Sequence, residues 1–426
     1  MVQVQRTGPF SCRTTPRRVR RRYPPLPVPR VRHLLLALLA ACAVSALGAG
    51  CGKKDTGNVG GGPVIGKPGG DESAARALGF PAFATKNTTR VGGADPTADA
   101  AGVARAVYTG TSDTTRPPAL VLVEKGDWQG ALAAAVLMSP PVRAPMLLSD
   151  GGSLPSASAA TLTALAPPGA KPLGGAQVIR VGSVAEAKGV KTLSVGGGDP
   201  YTRAAQIDRV AAKAAGRSSD RVVIASGERP EFAMPAAAWA AKSGDPILYA
   251  RRDQLPKETA AALALHQQPK IYVLGPPDVI SDQVLARLRK LGTVTRIAGK
   301  DPVANSIAFA RFVDGRFGWG VVDPGHGLVF ASADRPLDAA AAAPLSSSGT
   351  YGPLLLVTPG ALPTSLVQYL LDIQPGYERD PVRGVYNHGW LIGDEKAISL
   401  QDQARIDSLL EIVPVTASPP SNRPTS

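Results

Sequence analysis

The phrase Gly-x-Asp-Pro occurs three times in this chain, as Gly93-Ala94-Asp95-Pro96, Gly197-Gly198-Asp199-Pro200 and Gly299-Lys300-Asp301-Pro302. The three aspartates are separated by 104 and 102 residues. Each phrase is followed by an Ala-rich segment typical of a helix, at 97–108, 201–215 and 303–312. Repetition at a fixed period indicates repeated structural units, and a period near a hundred residues suits small domains better than a solenoid. The sequence therefore predicts three tandem units.

Within each unit, apolar runs typical of buried strands alternate with Ala-rich helical segments. Strands that alternate with helices favour right-handed βαβ crossovers and parallel sheets covered on both faces. We therefore predict an α/β fold made of three tandem doubly wound parallel-sheet repeats, Rossmann- or flavodoxin-like. The predicted strands are 119–123, 144–148 and 178–182, then 221–227 (a strand with its turn), 245–249 and 271–275, and finally 327–332, 352–357 and 390–393.

Composition limits the function classes. The chain has 426 residues, of which 44% are hydrophobic and 5% aromatic, enough for several modest cores. Its cysteines are Cys12, Cys42 and Cys51, so the repeats contain neither a disulfide nor a thiolate ligand or nucleophile. The net charge is +14, but residues 1–50 contain nine arginines and no lysine or acidic residue. The rest of the chain therefore has a net charge of +5. That mild charge argues against the dense basic face of a nucleic-acid binder.

The N-terminus has the layout of a secretory signal, with an arginine-rich region before the apolar run 34–49. The ending Leu47-Gly48-Ala49-Gly50-Cys51 resembles the lipobox of bacterial lipoproteins, which implies lipidation of Cys51. Cys42 is the alternative lipidation site, and an ordinary secreted protein is the alternative class. The long basic region also leaves open a true start downstream of Met1. We predict a lipoprotein signal peptide over 1–50.

The other predicted segments follow from composition and repeat spacing. Residues 52–70 are Gly-rich and lack a hydrophobic face, which is typical of a flexible tether. A short segment, 71–82, helical around 74–78, leads into the repeats. The predicted boundaries are 51–84 for the tether, 85–189, 190–292 and 293–413 for the repeats, and 414–426 for a disordered tail.

The repeats resemble the type 2 cell wall-binding repeat of bacterial surface proteins. That family has an Arg-x-x-Gly-x-Asp-Arg-Tyr phrase, matched here at 90–95 and 296–301, with Ser194 at the arginine position of the second unit. Its strand endings are matched by Ala-Ser-Gly at 225–227 and by Val-Leu-Gly and Leu-Ile-Gly at 273–275 and 391–393. Its Ala-Pro-Ile-Leu-Leu strand is similar to 144–148 and 245–248. The resemblance covers about 85–412 and implies three repeats around a pseudo-threefold axis.

The departures from the family concern the residues after each aspartate. Pro96, Pro200 and Pro302 replace the family's arginine, and of the three units only the second keeps its tyrosine, Tyr201. Proline suits the first turn of a helix because its missing N–H would be unpaired there. The preceding residues Asp95, Asp199 and Asp301 are then expected to be helix N-caps, with direct ligand contact as the alternative. The lost arginines weaken the case for binding an anionic polymer in the family's way.

The sequence offers little support for catalysis or for bound cofactors. His266, His326 and His388 lie at unrelated repeat positions, without a serine or acid partner at a telling spacing. The glycines at 196–198 match neither the dinucleotide fingerprint nor the Gly-Lys-Ser/Thr phosphate loop. No His/Cys cluster suggests a metal. We expect no cofactor and no metal, and consider a hydrolase the weakest of the function classes.

The loops that follow the first strand of each unit are the candidate ligand surface. Open α/β sheets bind ligands at the carboxyl ends of their strands. Trp128 follows such a strand and is expected either to stack on a sugar or, more in keeping with three packed units, to contact a neighbouring unit. Arg229 and Arg335 occupy matching positions and offer a positive partner for phosphate or carboxylate. The candidate residues are Asp127, Trp128, Glu228, Arg229, Asp334, Arg335 and Asp338.

Together these patterns predict a non-catalytic, lipid-anchored protein of the cell envelope, on the outer face of the cytoplasmic membrane. Its expected partners are an anionic cell-wall polymer and, through the N-terminal lipid, the membrane, and not nucleic acid. The alternative is a solute- or glycan-binding lipoprotein that serves a transporter or an envelope enzyme. A closed pocket between units would favour that alternative, whereas a continuous positive groove would favour the polymer.

Overall fold

The structure is a computed structural model that describes residues 82–347 and 352–415. The predicted signal peptide, Cys51, nearly all of the predicted tether and residues 416–426 lie outside the described residues. Among the described helices, none is long and apolar enough to cross a bilayer.

Seventeen strands, β1 to β17 in chain order, occur in the described residues. They are Ala82–Ala84, Thr88–Val91, Leu120–Glu124, Met146–Ser149, Val178–Val181, Thr192–Val195, Arg221–Ser226, Ile247–Ala250, Lys270–Leu274, Thr293–Ile297, Val313–Asp314, Phe317–Gly318, Gly327–Ser332, Leu354–Val357, Gly376–Tyr377, His388–Ile392 and Val413–Pro414.

Twelve α-helices, α1 to α12, connect these strands in the described residues. They are Pro96–Val107, Trp128–Ala134, Ser156–Leu165, Pro200–Ala215, Pro230–Ala233, Pro235–Ser243, Lys257–Ala264, Asp282–Leu288, Pro302–Arg311, Pro336–Ser347, Thr364–Asp372 and Leu400–Leu410. Short 3-10 helices cover Ala135–Met138, Lys171–Leu173 and Pro381–Arg383.

Three parallel sheets form the framework, and each follows the same order. The first sheet has the order β4-β3-β5-β6, the second β8-β7-β9-β10 and the third β14-β13-β16-β2. Their strands pair in parallel, and β1 extends the third sheet as an antiparallel edge strand. Except between β5 and β6, helices connect the consecutive parallel strands of each sheet, so the α/β prediction is confirmed. A sheet with the helices packed on it is called a unit below.

The sheets are offset from the sequence repeats by one strand. The fourth strand of each sheet is the segment that directly precedes a Gly-x-Asp-Pro phrase, namely β6, β10 or β2. Because β2 precedes the first phrase, the third sheet takes its fourth strand from the beginning of the repeats, with Thr88 opposite Gly389 and Val91 opposite Ile392. The three units therefore form a cycle that is closed by the N-terminal strand.

The centre of the molecule is made by three Ala-rich helices, one from each unit. These are α2 with its 3-10 extension, α6 and α10, and they pack against one another. Alanines along these helices are fully buried and belong to one continuous apolar core that reaches all three sheets. Alanine has no atoms beyond Cβ, so the helix axes can approach closely. This packing agrees with the expected pseudo-threefold arrangement.

The third unit carries additions that the other two lack. The hairpin β11–β12 places Phe317 against Tyr272 of the second unit, with ring centroids 3.5 Å apart and the planes parallel. Trp239 of α6 packs against the ring of Phe317, with centroids 4.9 Å apart, and its indole Nε1–H donates to Asp245 at 2.9 Å. The hairpin thus extends the contact between the second and third units with aromatic side chains.

Candidate functional site

The loops after β3, β7 and β13 lie at the contacts between units, near the carboxyl ends of the strands. Repeat alignment makes Asp127, Arg229 and Arg335 equivalent in these loops. The residue four positions after each phrase aspartate is Asp99, Arg203 or Asn305. Asp99 and Arg203 each contact such a loop from the next unit, so two of the three contacts between units bring one loop residue together with one helix residue.

At the contact between the first and second units, Asp127 meets Arg203. The Arg203 guanidinium lies 2.6 Å from Asp127 Oδ2, and both side chains are mostly buried, at 15% and 12% exposure. The other oxygen of Asp127 accepts from the Gly130 N–H at 2.9 Å and so caps α2. A Cβ at Gly130 would lie 2.1 Å from the Asp127 carboxylate, so glycine is required for this arrangement.

Trp128 also belongs to this first contact. Its ring meets the ring of Tyr249, in the second unit, edge to face with centroids 6.1 Å apart. The Tyr249 hydroxyl donates to the carbonyl of Gln129 at 2.7 Å, and the Gln129 amide donates to the carbonyl of Gly227. Burial raises the pKa of the Tyr249 hydroxyl well above its ordinary value. Trp128 therefore packs between units, as the second of the two sequence interpretations has it.

At the contact between the third and first units, Arg335 lies among three carboxyl groups. Its guanidinium is 2.7 Å from Asp338, 3.0 Å from Asp99 and 3.5 Å from Asp394. Asp99 and Asp338 have no solvent exposure, and Arg335 retains 18%. Gly393 adopts a φ of +92°, and a Cβ there would lie 2.9 Å from the guanidinium. Together with the following residue Asp394, this glycine completes the wall of the cluster.

Burial governs the protonation of these carboxyl groups. Burial, followed by the charge of Asp338, raises the pKa of Asp99 to about 9. Burial also raises the pKa of Asp338, while Arg335 opposes that rise. Because Asp99 has the higher pKa, it is the member of the pair that keeps its proton, and its O–H can donate a hydrogen bond to Asp338. Its Oδ1 accepts from the Gly93 N–H at 2.6 Å.

The contact between the second and third units has no pairing of an aspartate with an arginine at these two positions. Arg229 lies over the ring of Phe232 at 5.0 Å and pairs with Glu231 at 2.6 Å, with 46% of its side chain exposed. Asn305 is completely buried, and its Oδ1 accepts from the Gly299 N–H at 3.2 Å. The Asn305 amide nitrogen has no hydrogen-bond partner among the described residues.

The remaining candidate loop residues lie near the surface. Glu228 accepts from Arg251 at 3.2 Å and from the backbone N–H of Arg252 at 3.0 Å. The Arg251 guanidinium lies 4.9 Å from the ring of Tyr201. Asp334 is exposed. The structure thus groups Glu228 and Arg229 on the second unit, but it separates them from the buried cluster of Arg335 and Asp338.

The three phrase aspartates cap the helices that follow them. Asp95 accepts from the N–H groups of Thr97 and Ala98. Asp199 accepts from the N–H groups at 201 and 202 and from the Thr202 hydroxyl, and these hydrogen bonds lower its pKa. Asp301 accepts from the Ala304 N–H at 2.7 Å. Each helix begins at the proline, and each aspartate is its N-cap.

The arginines that carry the family resemblance hold backbone carbonyls. Arg90 is buried and donates to the carbonyls of residues 393, 394 and 398. Arg296 donates in the same way to the carbonyls of residues 275 and 280. In the first sheet, where Ser194 stands at this position, its strand neighbour Arg180 donates to the Val184 carbonyl. Arginine at this position therefore orders the loop after the third strand.

A cleft of about 630 Å³ opens at the carboxyl ends of β3 and β4, and the third unit closes one side. It is lined by the beginnings of α1 and α3, by the loops after the two strands, and by Leu337 of α10. A smaller pocket of about 130 Å³ lies near Asp208, Arg221 and Asp245. The larger cleft has the volume expected of a small-molecule site.

The histidines are structural or peripheral. His266 is buried, and its ring nitrogens lie 2.8 Å from Asp208 and from the Ser219 carbonyl. Burial lowers its pKa, but the contacts with Asp208 outweigh this effect, so the pKa is raised overall. His326 lies beside Asp323, and His388 packs edge to face against Trp390. Burial lowers the pKa of His388.

The sequence analysis did not identify the helix residues that lie at the contacts between units. Asp99, Arg203 and Asn305 were not candidates, although all three follow a phrase aspartate by four residues. The signal available was their equivalent position in the three repeats, which carries a polar side chain each time in an Ala-rich helix. Asp394 and the cleft could not be inferred, since they depend on how the third unit meets the first.

Two solved structures share the fold of about three quarters of this chain. The chain is similar to Cwp6 from Clostridium difficile, with a TM-score of 0.59 and 18% identity, over 76% of this chain and 48% of that one. It is also similar to Cwp8 from Clostridium difficile, with a TM-score of 0.58 and 20% identity, over 76% of this chain and 52% of that one. The chain thus spans about half the length of these neighbours, and the similarity concerns the fold.

The curated proteins contain no match to this chain. A family model does match, and its description is cell wall binding domain 2 (CWB2). The matched residues, 195–285, run from the end of β6 into α8, and they include Tyr201 and the Ala-Ser-Gly ending of β7. The second unit is therefore similar to a cell wall binding domain, and the same fold occurs twice more in the chain.

Proposed function

We propose that this chain is a non-catalytic protein of the cell envelope that binds a cell-wall polymer through its three units. The observation that carries the proposal is the match of residues 195–285 to cell wall binding domain 2, within a body whose three units share one sheet order. The fold shared with two proteins named Cwp supports it. Export by the signal over 1–50 and lipidation at Cys51 belong to the same proposal.

The exposed arginines of the second unit favour an anionic polymer. Arg229, Arg251 and Arg252 have side-chain exposures of 46%, 49% and 61% and lie after β7 and β8. Their partners Glu231, Glu228 and Asp253 keep 21%, 40% and 56% side-chain exposure, so solvent weakens these ion pairs and a phosphate or carboxylate can replace them. In contrast, Arg203 and Arg335 are committed to contacts between units. We therefore propose that the second unit makes the main contact with anionic groups.

A second candidate function is a solute- or glycan-binding lipoprotein. It is favoured by the 630 Å³ cleft between the first and third units, because a cleft of that size suits a small ligand. In this case the protein delivers or presents its ligand to another envelope component.

Co-sedimentation with purified cell-wall sacculi, before and after acid extraction of secondary polymers, tests the main proposal. We expect binding that weakens with salt and disappears after extraction, since both follow from contacts with a charged polymer. The variant with Arg229, Arg251 and Arg252 changed to Gln should bind more weakly. The matched control changes the exposed residues Arg287, Arg289 and Lys290 of the second unit to Gln and should bind normally.

Absence of binding to either preparation would refute polymer binding and leave the second candidate. Equal weakening in the arginine variant and in its control would show that net charge, not this surface, governs binding.

A further inference from the structure

The cleft at the first sheet differs chemically from the exposed arginines of the second unit. Its polar lining includes two carboxylates, Asp95 and Asp150, and one ammonium group, Lys125. Lys125 already pairs with Asp150 at 2.5 Å. The remaining carboxylate, Asp95, uses Oδ1 to cap α1, while its Oδ2 makes no hydrogen bond among the described residues. An anionic ligand would meet a surplus of negative charge here.

The cleft also offers hydrogen-bond donors. Helix α3 begins at Ser156 after Pro155, and no side chain caps it, so its first N–H groups are available to a ligand. Ser156 is exposed and lines the cleft, and so does Thr97 at the beginning of α1. Two helix beginnings therefore converge on one space, together with a carboxylate oxygen that can accept hydrogen bonds.

The rest of the lining is apolar and compact. Pro96, Ala98, Pro155, Ala157 and Leu337 supply aliphatic walls without an aromatic ring. A sugar ring has hydroxyl groups at its edge and C–H groups on its faces, so it matches both kinds of wall. Leu337 comes from the third unit, which means that the cleft exists only where the units meet.

We propose that this cleft binds a neutral or amino sugar unit, with its hydroxyl groups on Asp95, Ser156 and the beginning of α3. This inference rests on the proposed function, and it names the class of sugar that the first unit recognises. Asp95 then has two roles, since Oδ1 caps α1 while Oδ2 accepts from the ligand. An anionic polymer that also contains neutral or amino sugars would contact the second unit by its charges and the first by its sugars.

The test compares ligands and variants of the full chain by saturation-transfer difference NMR and isothermal titration calorimetry. The probes are N-acetylglucosamine, glucosamine and inorganic phosphate. We expect both sugars to bind and phosphate to be rejected at this cleft. Ser156→Trp fills the cleft and should weaken sugar binding about tenfold or more.

The matched control is Lys257→Trp, since Lys257 is the equivalent first residue of α7 and is likewise exposed. It should leave sugar binding unchanged. Circular dichroism of both variants checks that they fold, which their exposed positions favour.

The inference fails if phosphate binds more tightly than the sugars in a manner sensitive to Ser156→Trp, or if Ser156→Trp binds the sugars as well as the control does. It also fails if neither sugar binds at all. Sedimentation of the same variants with sacculi separates this failure from failure of the proposed function. A chain that sediments with sacculi but ignores the sugars would keep polymer binding and lose the cleft, whereas a chain that does not sediment would lose polymer binding itself.

Discussion

Two contacts between units use the same two positions with the aspartate and the arginine exchanged. At the contact of the first and second units, the loop supplies Asp127 and the helix supplies Arg203. At the contact of the third and first units, the loop supplies Arg335 and the helix supplies Asp99. A loop placed against the wrong helix would bring together two carboxyl groups or two guanidinium groups, which is unfavourable. The reversal therefore specifies which units are neighbours.

The two contacts also differ in what holds them. The first adds a direct ion pair to aromatic packing, whereas the other surrounds one guanidinium with three carboxyl groups and leaves one of them protonated. Burial without full pairing is costly, so the second arrangement depends strongly on its single cation. The contact of the second and third units, with Asn305 and Phe232, replaces charge by a buried amide and a ring.

The largest effect is expected for Arg335→Met. Loss of the guanidinium leaves Asp338 and Asp394 without their cation, and we expect the free energy of unfolding to fall by about 3–5 kcal/mol. The control is Arg229→Met at the equivalent exposed position, which should cost about 1 kcal/mol or less. Urea denaturation followed by circular dichroism measures both. Equal losses for the two variants would contradict the importance of the buried cluster.

A smaller effect is expected for Trp128→Ala. Removal of the half-buried ring leaves a gap against Tyr249, and we expect a loss of about 2 kcal/mol, below the range for a fully buried tryptophan. Trp128→Phe should recover part of this loss, since a ring still reaches Tyr249. The same denaturation experiment compares the two variants. If alanine is as stable as phenylalanine, the edge-to-face contact adds nothing.

Charge exchange at the first contact tests the reversal itself. Asp127→Arg and Arg203→Asp should each destabilise the chain, because each places like charges together. The double variant should recover stability, with a coupling energy of about 1–2 kcal/mol in a double-mutant cycle. Recovery will be incomplete, since Asp127 also caps α2 and that cap contributes about 1 kcal/mol. Additive losses would mean that charge does not specify this contact.

Asp99→Asn differs from the other variants because its effect depends on pH. The folded chain holds the Asp99 proton with a pKa of about 9, whereas the unfolded chain releases it near the ordinary value of 3.8. Stability from this group is therefore complete at low pH and declines as the pH rises towards 9. Asparagine does not titrate, and Asn305 shows that it accepts the same type of N–H.

The measurement is the free energy of unfolding of both proteins across this pH range. The wild-type chain should lose more stability than Asp99→Asn as the solution becomes alkaline. Parallel curves for the two proteins would show that Asp99 is not protonated in the folded state.

Much of the fold could be predicted because local patterns repeat. The strands 120–124 and 354–357 are buried on both faces, so they are continuous apolar runs that can be recognised without knowledge of their neighbours. The proline after each aspartate marks the beginning of a helix. The fourth strands were missed because Thr88–Val91 and Thr192–Val195 are short and partly polar. A strand of this kind becomes recognisable only through its partner, which for β2 lies about 300 residues away.

Only the loop residues of the candidate site were predicted from the sequence. Asp127, Arg335 and Asp338 were selected from the loops, but their partners depend on how units pack, and packing leaves no periodic pattern in the sequence. The same limitation made Arg335 look like a free cation for a ligand, while the structure commits it to three carboxyl groups. Arg229, at the equivalent position, keeps the exposure that the loop pattern suggests.

The closure of the third sheet by β2 sets an order in time. The first sheet can be completed once β6 has been made, and the second once β10 has been made, but β2 pairs with β16, whose residue Trp390 is synthesised 301 residues after its partner Thr89. At about 5–20 residues per second, this strand waits for about 15–60 s. During that time the backbone N–H and C=O groups on the edge of β2 that faces β16 have no native partner, while the opposite edge can already pair with β1. The first strand of the repeats to be synthesised is thus among the last to find its place.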